Sequence, residues 1–219
     1  MAKKKAAPAK ESRPAKGQPK ASRAKSAKAG ELFQFKITLL GTDPPIWRRI
    51  QVTDCTLDKL HEHIQTAMGW ENAHLHQFNI GGKCYGDPEL LQDEIPCIDS
   101  TVTKISQLMP KDRKRVRFHY EYDFGDGWEH EILFEGCPEP EPDKSYPLCL
   151  EGERACPPED SGGVWGFYAM LEALGNRKHE RHKEFKQWVG KFDPVAFDPV
   201  AATKAMTEGL PDWREFEEL

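Results

Sequence analysis

The chain has 219 residues, with 38 % hydrophobic and 31 % charged, enough for one sizeable domain or two small ones. No run of about 18 apolar residues occurs, and the basic N-terminus is not followed by an apolar stretch, so we expect neither a transmembrane helix nor a secretory signal. The composition predicts a cytoplasmic protein that does not associate with membranes. In that reducing compartment the six cysteines favour burial or metal binding over disulfides.

The net charge of −5 is divided between two unlike segments. Residues 1–30 carry ten cations and one acid, a net of +9, while residues 31–219 carry 21 basic and 35 acidic residues, a net of −14. The ten cations are Lys3, Lys4, Lys5, Lys10, Arg13, Lys16, Lys20, Arg23, Lys25 and Lys28. This Lys/Ala/Pro-rich tail has too little apolar surface to offset its ordering entropy, so we expect it to be disordered. Its lysines suit contacts with nucleic-acid phosphates, and a solubilising extension explains them equally well.

The folded part is predicted to begin with two strands, Phe33–Leu40 and Ile46–Val52. Apolar residues at helical spacing predict a helix over Thr56–Met68, with Gly69 as its C-cap. A strand over His74–Ile80 follows, and the next two glycines predict a tight turn into a short strand. His74 and His76 share one face of that strand, so both side chains can approach one metal ion, although the sequence fixes no further ligand.

Arg115–Gly136 is predicted to form a β-hairpin around a turn of aspartates and glycines. Apolar and polar residues alternate on both sides of the turn, which indicates one buried face. His130 lies two residues after Trp128, so both side chains point to the same face of the strand, and we expect His130 to be buried. A buried histidine needs partners for its ring nitrogens, and we expect a hydrogen bond to Glu159 or Asp160.

Three helices are predicted after the hairpin, over Val164–Leu174, Arg181–Val189 and Pro199–Met206. Strands therefore cluster before residue 137 and helices after residue 160, which is typical of an α+β fold. We expect residues 31–219 to form a single domain. It would contain a mainly antiparallel sheet of about four to six strands, covered on one side by helices.

Six stretches carry a resemblance to a known family: PPIWRRIQV, TLDKLHEHIQTAMGW, HLHQFNI, YDFGDGWEHEI, YPLCLEGERACPPEDSGG and FDPVAFDP. In this order they resemble the Ri-plasmid ORF-three-like family, also described as passenger proteins of bacterial insertion sequences, over about Phe33 to Met206. The resemblance implies a compact α+β domain from the bacterial cytoplasm. It implies no established reaction.

The predicted site joins the hairpin turn to the CPPEDSGG segment. The candidate pocket residues are Asp123, Asp126, Trp128, His130, Glu159 and Asp160. Within this region His130, Cys156 and Asp160 form a candidate ligand set for a divalent metal such as zinc. In the structural alternative Asp160 caps the following helix and His130 bonds to this loop.

Two classes of function follow from these features. The first is a binding module that contacts nucleic acid through the basic tail, or a protein partner. It is favoured because the acidic body contains no motif with catalytic spacing. The alternative is a metal-dependent enzyme of the hydrolase type, which uses His130 with the acids and cysteine of the CPPED segment.

Overall fold

The computed structural model describes Met1, residues 30–91 and residues 96–210. The strands are β1 (Leu32–Leu39), β2 (Ile46–Thr53), β3 (His76–Ile80), β4 (Lys83–Gly86), β5 (Ile98–Asp99), β6 (Val116–Tyr122), β7 (Trp128–Gly136) and β8 (Leu148–Glu153). The helices are α1 (Leu57–Met68), α2 (Pro88–Leu91), α3 (Ile105–Leu108), α4 (Gly163–Gly175), α5 (His182–Val189) and α6 (Pro199–Glu208). The prediction for the basic tail falls on residues 2–29 and lies outside the described residues.

The eight strands form one sheet in the order β5-β4-β3-β6-β7-β1-β2-β8. All neighbours pair antiparallel except β4 and β5, which are parallel. The α+β class is therefore confirmed, but the predicted four to six strands are too few. Both strands that the sequence did not indicate lie at the edges of the sheet. There β5 has only two residues, and β8 contains Gly152 and lacks a clean alternation.

The hairpin formed by β6 and β7 supplies the centre of the buried face. Its register places Tyr120 opposite His130 and Tyr122 opposite Trp128, and all four side chains are buried. Helix α1 covers this face, since Gln65 donates a hydrogen bond to the Tyr120 hydroxyl over 2.9 Å. Residues of opposite parity on both strands are exposed or half-buried, and all but Leu133 are polar, so the helix covers one face and the other faces solvent.

Arg48 on β2 is a buried cation that joins three elements. Its Nε donates to the Ala67 carbonyl near the end of α1 over 2.9 Å, and its Nη1 donates to the Glu153 carbonyl over 3.0 Å. Carbonyls at the end of a helix favour a positive charge. The guanidinium also lies 3.9 Å from the ring centre of Phe197, so Arg48 connects α1, β8 and the segment before α6.

Cys84 and Cys97 form a disulfide, with their Cα atoms 4.6 Å apart. We expected thiols, so this pair is a correction to the sequence analysis. The parallel pairing of Tyr85 with Ile98 brings the two cysteines side by side. Their spacing along the chain gave no indication of this contact, because β5 itself was not predicted. None of the helices in the described residues has the length and apolarity that a membrane crossing requires.

The packing around Arg48 leaves no room for a side chain at Gly152. A Cβ atom there would lie 2.6 Å from the Trp47 carbonyl oxygen and 2.7 Å from the ring of Phe197. We therefore expect Gly152→Ala to lower the free energy of unfolding by about 1–3 kcal/mol, because overpacking forces shifts in the backbone and neighbouring side chains. Urea denaturation followed by circular dichroism measures this change.

Gly175→Ala is the matched control. A Cβ at this last residue of α4 would have no atom within 4 Å, and alanine has the higher helix propensity. This variant should be neutral, or more stable by up to about 1 kcal/mol. Equal stability of the Gly152→Ala variant and the wild type would contradict the packing argument.

Candidate metal centre

Three segments meet at one edge of the buried face: the loop after α1, the hairpin turn and the segment before α4. The backbone of Asp123 donates to the Leu75 carbonyl over 2.9 Å, which holds the loop against the turn. The Gly162 backbone N–H donates to Asp126 Oδ2 over 2.9 Å and holds the third segment. The site is thus assembled from parts of the chain that are far apart in sequence.

The hairpin turn orients the carboxylate of Asp123. Its Oδ1 accepts hydrogen bonds from the backbone N–H groups of Gly125 at 3.0 Å and Asp126 at 3.2 Å, as in an Asx turn. Asp123 Oδ2 is directed instead towards His74, at 3.6 Å from Nε2. Gly163 allows the close approach of the third segment, since a Cβ there would lie 2.4 Å from the Asp126 carbonyl oxygen.

The resulting cluster consists of His74, Asp123 and Asp160, whose ligand atoms all lie within 4.8 Å of one another. His74 Nε2 is 3.0 Å from Asp160 Oδ1 and 4.0 Å from Glu159 Oε2. Two ligand atoms bonded to one tetrahedral zinc ion lie about 3.3 Å apart, so these spacings match a metal-binding geometry. The His74 Nε2 atom is buried and makes no hydrogen bond to another described group, although Asp160 Oδ1 lies 3.0 Å away.

Glu159 is fixed beside the cluster by two neighbours. Its Oε1 accepts from the backbone N–H of Glu71 over 2.9 Å and from the Tyr122 hydroxyl over 3.0 Å. Burial, together with the negative charge of Glu159, raises the pKa of Tyr122, so the phenol keeps its proton and donates. The Tyr122 oxygen in turn accepts from the Ala73 backbone N–H over 2.9 Å.

The predicted pocket residues separate into two groups. Asp123, Glu159 and Asp160 surround His74, and Asp126 holds the segment before α4. Trp128 and His130 lie inside the core. The expectation that Asp160 caps α4 is wrong, since the N-cap is Gly162 and no side-chain cap is formed.

The ligand set predicted from sequence shares only Asp160 with the cluster of His74, Asp123 and Asp160. His130 is separated from the cluster by its burial among rings. Cys156 lies near Arg48 instead, and burial raises the pKa of its thiol, which disfavours the thiolate that binds metals. Within the described part of the chain, the cluster around His74 is the one group of three such ligands that meets this spacing.

Residues 31–201 match the family model described as plasmid pRiA4b ORF-3-like protein. The chain belongs to this family. The resemblance inferred from sequence is therefore confirmed. An uncharacterized protein y4hQ of Sinorhizobium fredii (strain NBRC 101917 / NGR234) is 39 % identical over 185 residues, which cover 83 % of this chain and 94 % of that protein.

A solved relative of this pRiA4b ORF-3-like chain has the same fold. The crystal structure of the protein of unknown function MM3350 from Methanosarcina mazei Go1 is 36 % identical in sequence, with a TM-score of 0.69. The match covers 78 % of this chain and 96 % of that one. Neither relative's name states a reaction, so the chemistry of the site is argued from its residues.

His130 is fully buried, as predicted, but the predicted hydrogen bond to Glu159 or Asp160 is wrong. No hydrogen bond joins its ring nitrogens to either carboxylate, and the groups that raise its pKa against the effect of burial are the backbones of Tyr120 and Trp128. The ring of Trp70, whose Nε1 donates to the Pro157 carbonyl over 3.0 Å, stands edge-on to His130 at 5.4 Å. Trp70 thus occupies the space that the prediction assigned to the carboxylates.

The sequence analysis noted that His74 and His76 could both approach one metal ion. In the structure β3 begins at His76, and His74 lies in the loop before it. His76 is buried in the core, where its ring stacks on His61 at 3.4 Å with an interplanar angle of 4°. His61 Nδ1 lies 2.7 Å from the Tyr120 hydroxyl, and its Nε2 lies 2.6 Å from Asn72 Oδ1. The sequence therefore indicated His74 and, separately, the acids of the candidate pocket, while their contact with one another depends on the tertiary structure.

The buried histidines predict a pH-dependent stability. Burial lowers the pKa of both His61 and His130 to about 4. In the unfolded chain a histidine titrates near about 6.5, so between these values the unfolded state binds more protons. Stability is therefore present above pH 6.5 and is lost as the pH falls. For His130 alone we expect a loss of about 1–2 kcal/mol between about pH 7 and pH 5.

Urea titrations at several pH values compare the wild type with His130→Leu. Leucine cannot bind a proton, so the variant lacks the group whose pKa burial lowers in the fold. The variant should therefore lose less stability on acidification than the wild type does. Identical pH profiles would show that His130 is not held neutral in the fold.

Proposed function

We propose that the protein binds a divalent metal ion through His74 Nε2, Asp123 Oδ2 and Asp160 Oδ1, and that this centre supports metal-assisted hydrolysis. The observation that carries the proposal is the convergence of one ligand atom from each residue within 4.8 Å, with His74 Nε2 3.6 Å from Asp123 Oδ2 and 3.0 Å from Asp160 Oδ1. One imidazole and two carboxylates suit Zn²⁺ or Mn²⁺. The two carboxylates balance the charge of the ion.

The surroundings of the cluster support a reactive centre rather than a closed structural one. Structural zinc sites have four protein ligands, whereas catalytic sites have three and bind water at the open position. Here three ligands are available, and the Asp160 side chain is 74 % exposed, which gives water and substrate access. A Zn²⁺ ion held by these residues would lower the pKa of its bound water to about 7.

Glu159 has the position of a general base in this proposal. It lies 4.0 Å from His74 Nε2 and is oriented by the Tyr122 hydroxyl and the Glu71 backbone. A fixed carboxylate next to a metal-bound water accepts its proton during attack on the substrate. The alternative arrangement with His130 and Cys156 gains no comparable support, because the ring of Trp70 lies next to His130.

Metal binding is measured by isothermal titration calorimetry with Zn²⁺ and Mn²⁺ on untagged, chelator-treated protein. The wild type should bind one ion. Removal of a ligand in His74→Ala or Asp160→Asn should weaken binding by at least about tenfold, since even partners of metal ligands contribute that much. His119→Ala is the matched control, because His119 is exposed on the opposite face of the sheet.

Glu159→Gln separates binding from chemistry. This variant should retain the ion and lose metal-dependent hydrolysis of ester and phosphodiester substrates by about 10²-fold or more. Absence of stoichiometric metal in the wild type, or wild-type affinity in His74→Ala, would contradict the site.

A second function, nucleic-acid binding through the basic tail, is supported by the division of charge. Residues 1–30 carry +9, and residues 31–219 carry −14, so the tail is the segment that attracts phosphates. The full chain and a chain lacking residues 1–30 are compared in a salt series. Truncation should weaken binding and reduce the salt dependence, and unchanged affinity would argue against the tail.

A further inference from the structure

The segment around α5 has the opposite charge to the rest of the folded body. Residues 176–192 contain six cations and two acids, a net of +4, whereas the rest of residues 31–219 has 15 cations and 33 acids, a net of −18. The six cations, all exposed, are Arg177, Lys178, Arg181, Lys183, Lys186 and Lys191. A helix whose charged side chains only contact solvent does not need a net charge opposite to that of the rest of the body.

Helix α5 is fixed to the body, so its outward side chains have defined positions. Phe185 is buried, and His182 Nδ1 lies 2.8 Å from the Ala173 carbonyl of α4. Lys183 and Lys186, three residues apart, lie on the same flank of the helix. Among the described residues, no carboxylate is within ion-pair distance of either lysine, so both charges are available to an anionic ligand.

The other flank of α5 carries an exposed aromatic ring. Arg181 lies 4.3 Å from the ring centre of Phe185, and the Phe185 ring lies 6.1 Å from that of Trp188. Trp188 is 47 % exposed, so part of its indole is open to a planar ligand. Arg181 is paired with Glu184 at 2.7 Å, which leaves the two lysines as the unpaired cations of the helix.

We propose that α5 binds single-stranded nucleic acid, with phosphates on Lys183 and Lys186 and a base stacked on Trp188. The strand crosses the exposed side of the helix, which is about 10–12 Å wide with its side chains. Cations combined with an aromatic ring are the recurring means of binding single strands without reading their sequence. This surface shares no residue with the proposed metal centre or with the basic tail.

The charge of the body favours a single strand over larger polyanions. A duplex or an anionic membrane presents a broad negative surface, which the −18 of the remaining body repels. A single strand can lie along α5 alone. An acidic peptide offers a flat ring only where it contains an aromatic residue, whereas every nucleotide carries both a phosphate and a planar base, so lysines beside an exposed indole favour the nucleic acid.

The test uses the full chain and a labelled oligothymidylate of about 20 nucleotides. Fluorescence anisotropy gives the affinity between about 50 and 200 mM salt. The double variant Lys183→Glu and Lys186→Glu should bind at least about tenfold more weakly, and loss of two phosphate contacts should reduce the slope of log K against log salt by about 1.4. Trp188→Ala should weaken binding and leave that slope unchanged.

The control for net charge is the double variant Lys111→Glu and Lys114→Glu. These two lysines are exposed in the loop between α3 and β6, and their substitution changes the total charge by the same amount. An equal loss of affinity in both double variants would overturn the proposal, because it would indicate attraction by overall charge. So would unchanged affinity in Trp188→Ala.

Two further binding measurements distinguish a single strand from a duplex and from an anionic membrane. Tighter binding to a duplex of the same length, or to vesicles containing an anionic phospholipid, than to the single strand would also overturn the assignment. Metal titration and thermal melting of each α5 variant should match the wild type. A loss of metal binding in His74→Ala with unchanged oligonucleotide binding would separate this surface from the metal centre.

Discussion

The Tyr120 hydroxyl is the contact on which the arrangement of the buried face depends. It lies in the middle of β6 and accepts a hydrogen bond from Gln65 of α1, so its own proton is directed to His61 Nδ1. Burial raises the pKa of Tyr120 well above its usual range and lowers that of His61, and both groups are therefore neutral. Two directional bonds to one hydroxyl fix the rotation of α1 on the sheet more narrowly than apolar contacts alone would.

The position of α1 determines where the loop after it begins, and this loop builds the candidate site. Asn72 accepts from His61 in the neutral tautomer, which leaves Nε2 as the donor, and the Asn72 backbone donates to Gln65. Two residues later His74 meets the acids of the hairpin turn and of the segment before α4. The histidines of this protein thus have different surroundings: His61, on the buried face of α1, is neutral, whereas His74 is half-buried beside carboxylates.

The sequence predicted the elements whose pattern is local. Buried and more exposed residues alternate along both strands of the hairpin around Gly125, and α1 has apolar residues at helical spacing with a glycine cap. It did not predict β5 or β8, because short edge strands with one partner carry little periodicity. The insertion of Trp70 above His130 also has no local signal, since the position of a side chain at the end of a helix depends on the packing of the whole layer. For the same reason the sequence named Asp123, Glu159 and Asp160 as pocket residues but placed them beside His130 instead of His74.

The proposed metal ion and the cationic segments would both offset the repulsion between the acidic body and phosphates. Asp123, Glu159 and Asp160 bring three formal negative charges to one place on a body that is already acidic, and such a site repels phosphates. A divalent ion bound there offsets two of these charges. The remaining attraction for an anionic chain must come from elsewhere, and α5 supplies unpaired lysines on a rigid helix. An acidic centre and a basic helix on one body are therefore compatible: a bound metal ion would reduce the repulsion locally, and α5 and the basic tail would provide the attraction for the anionic chain.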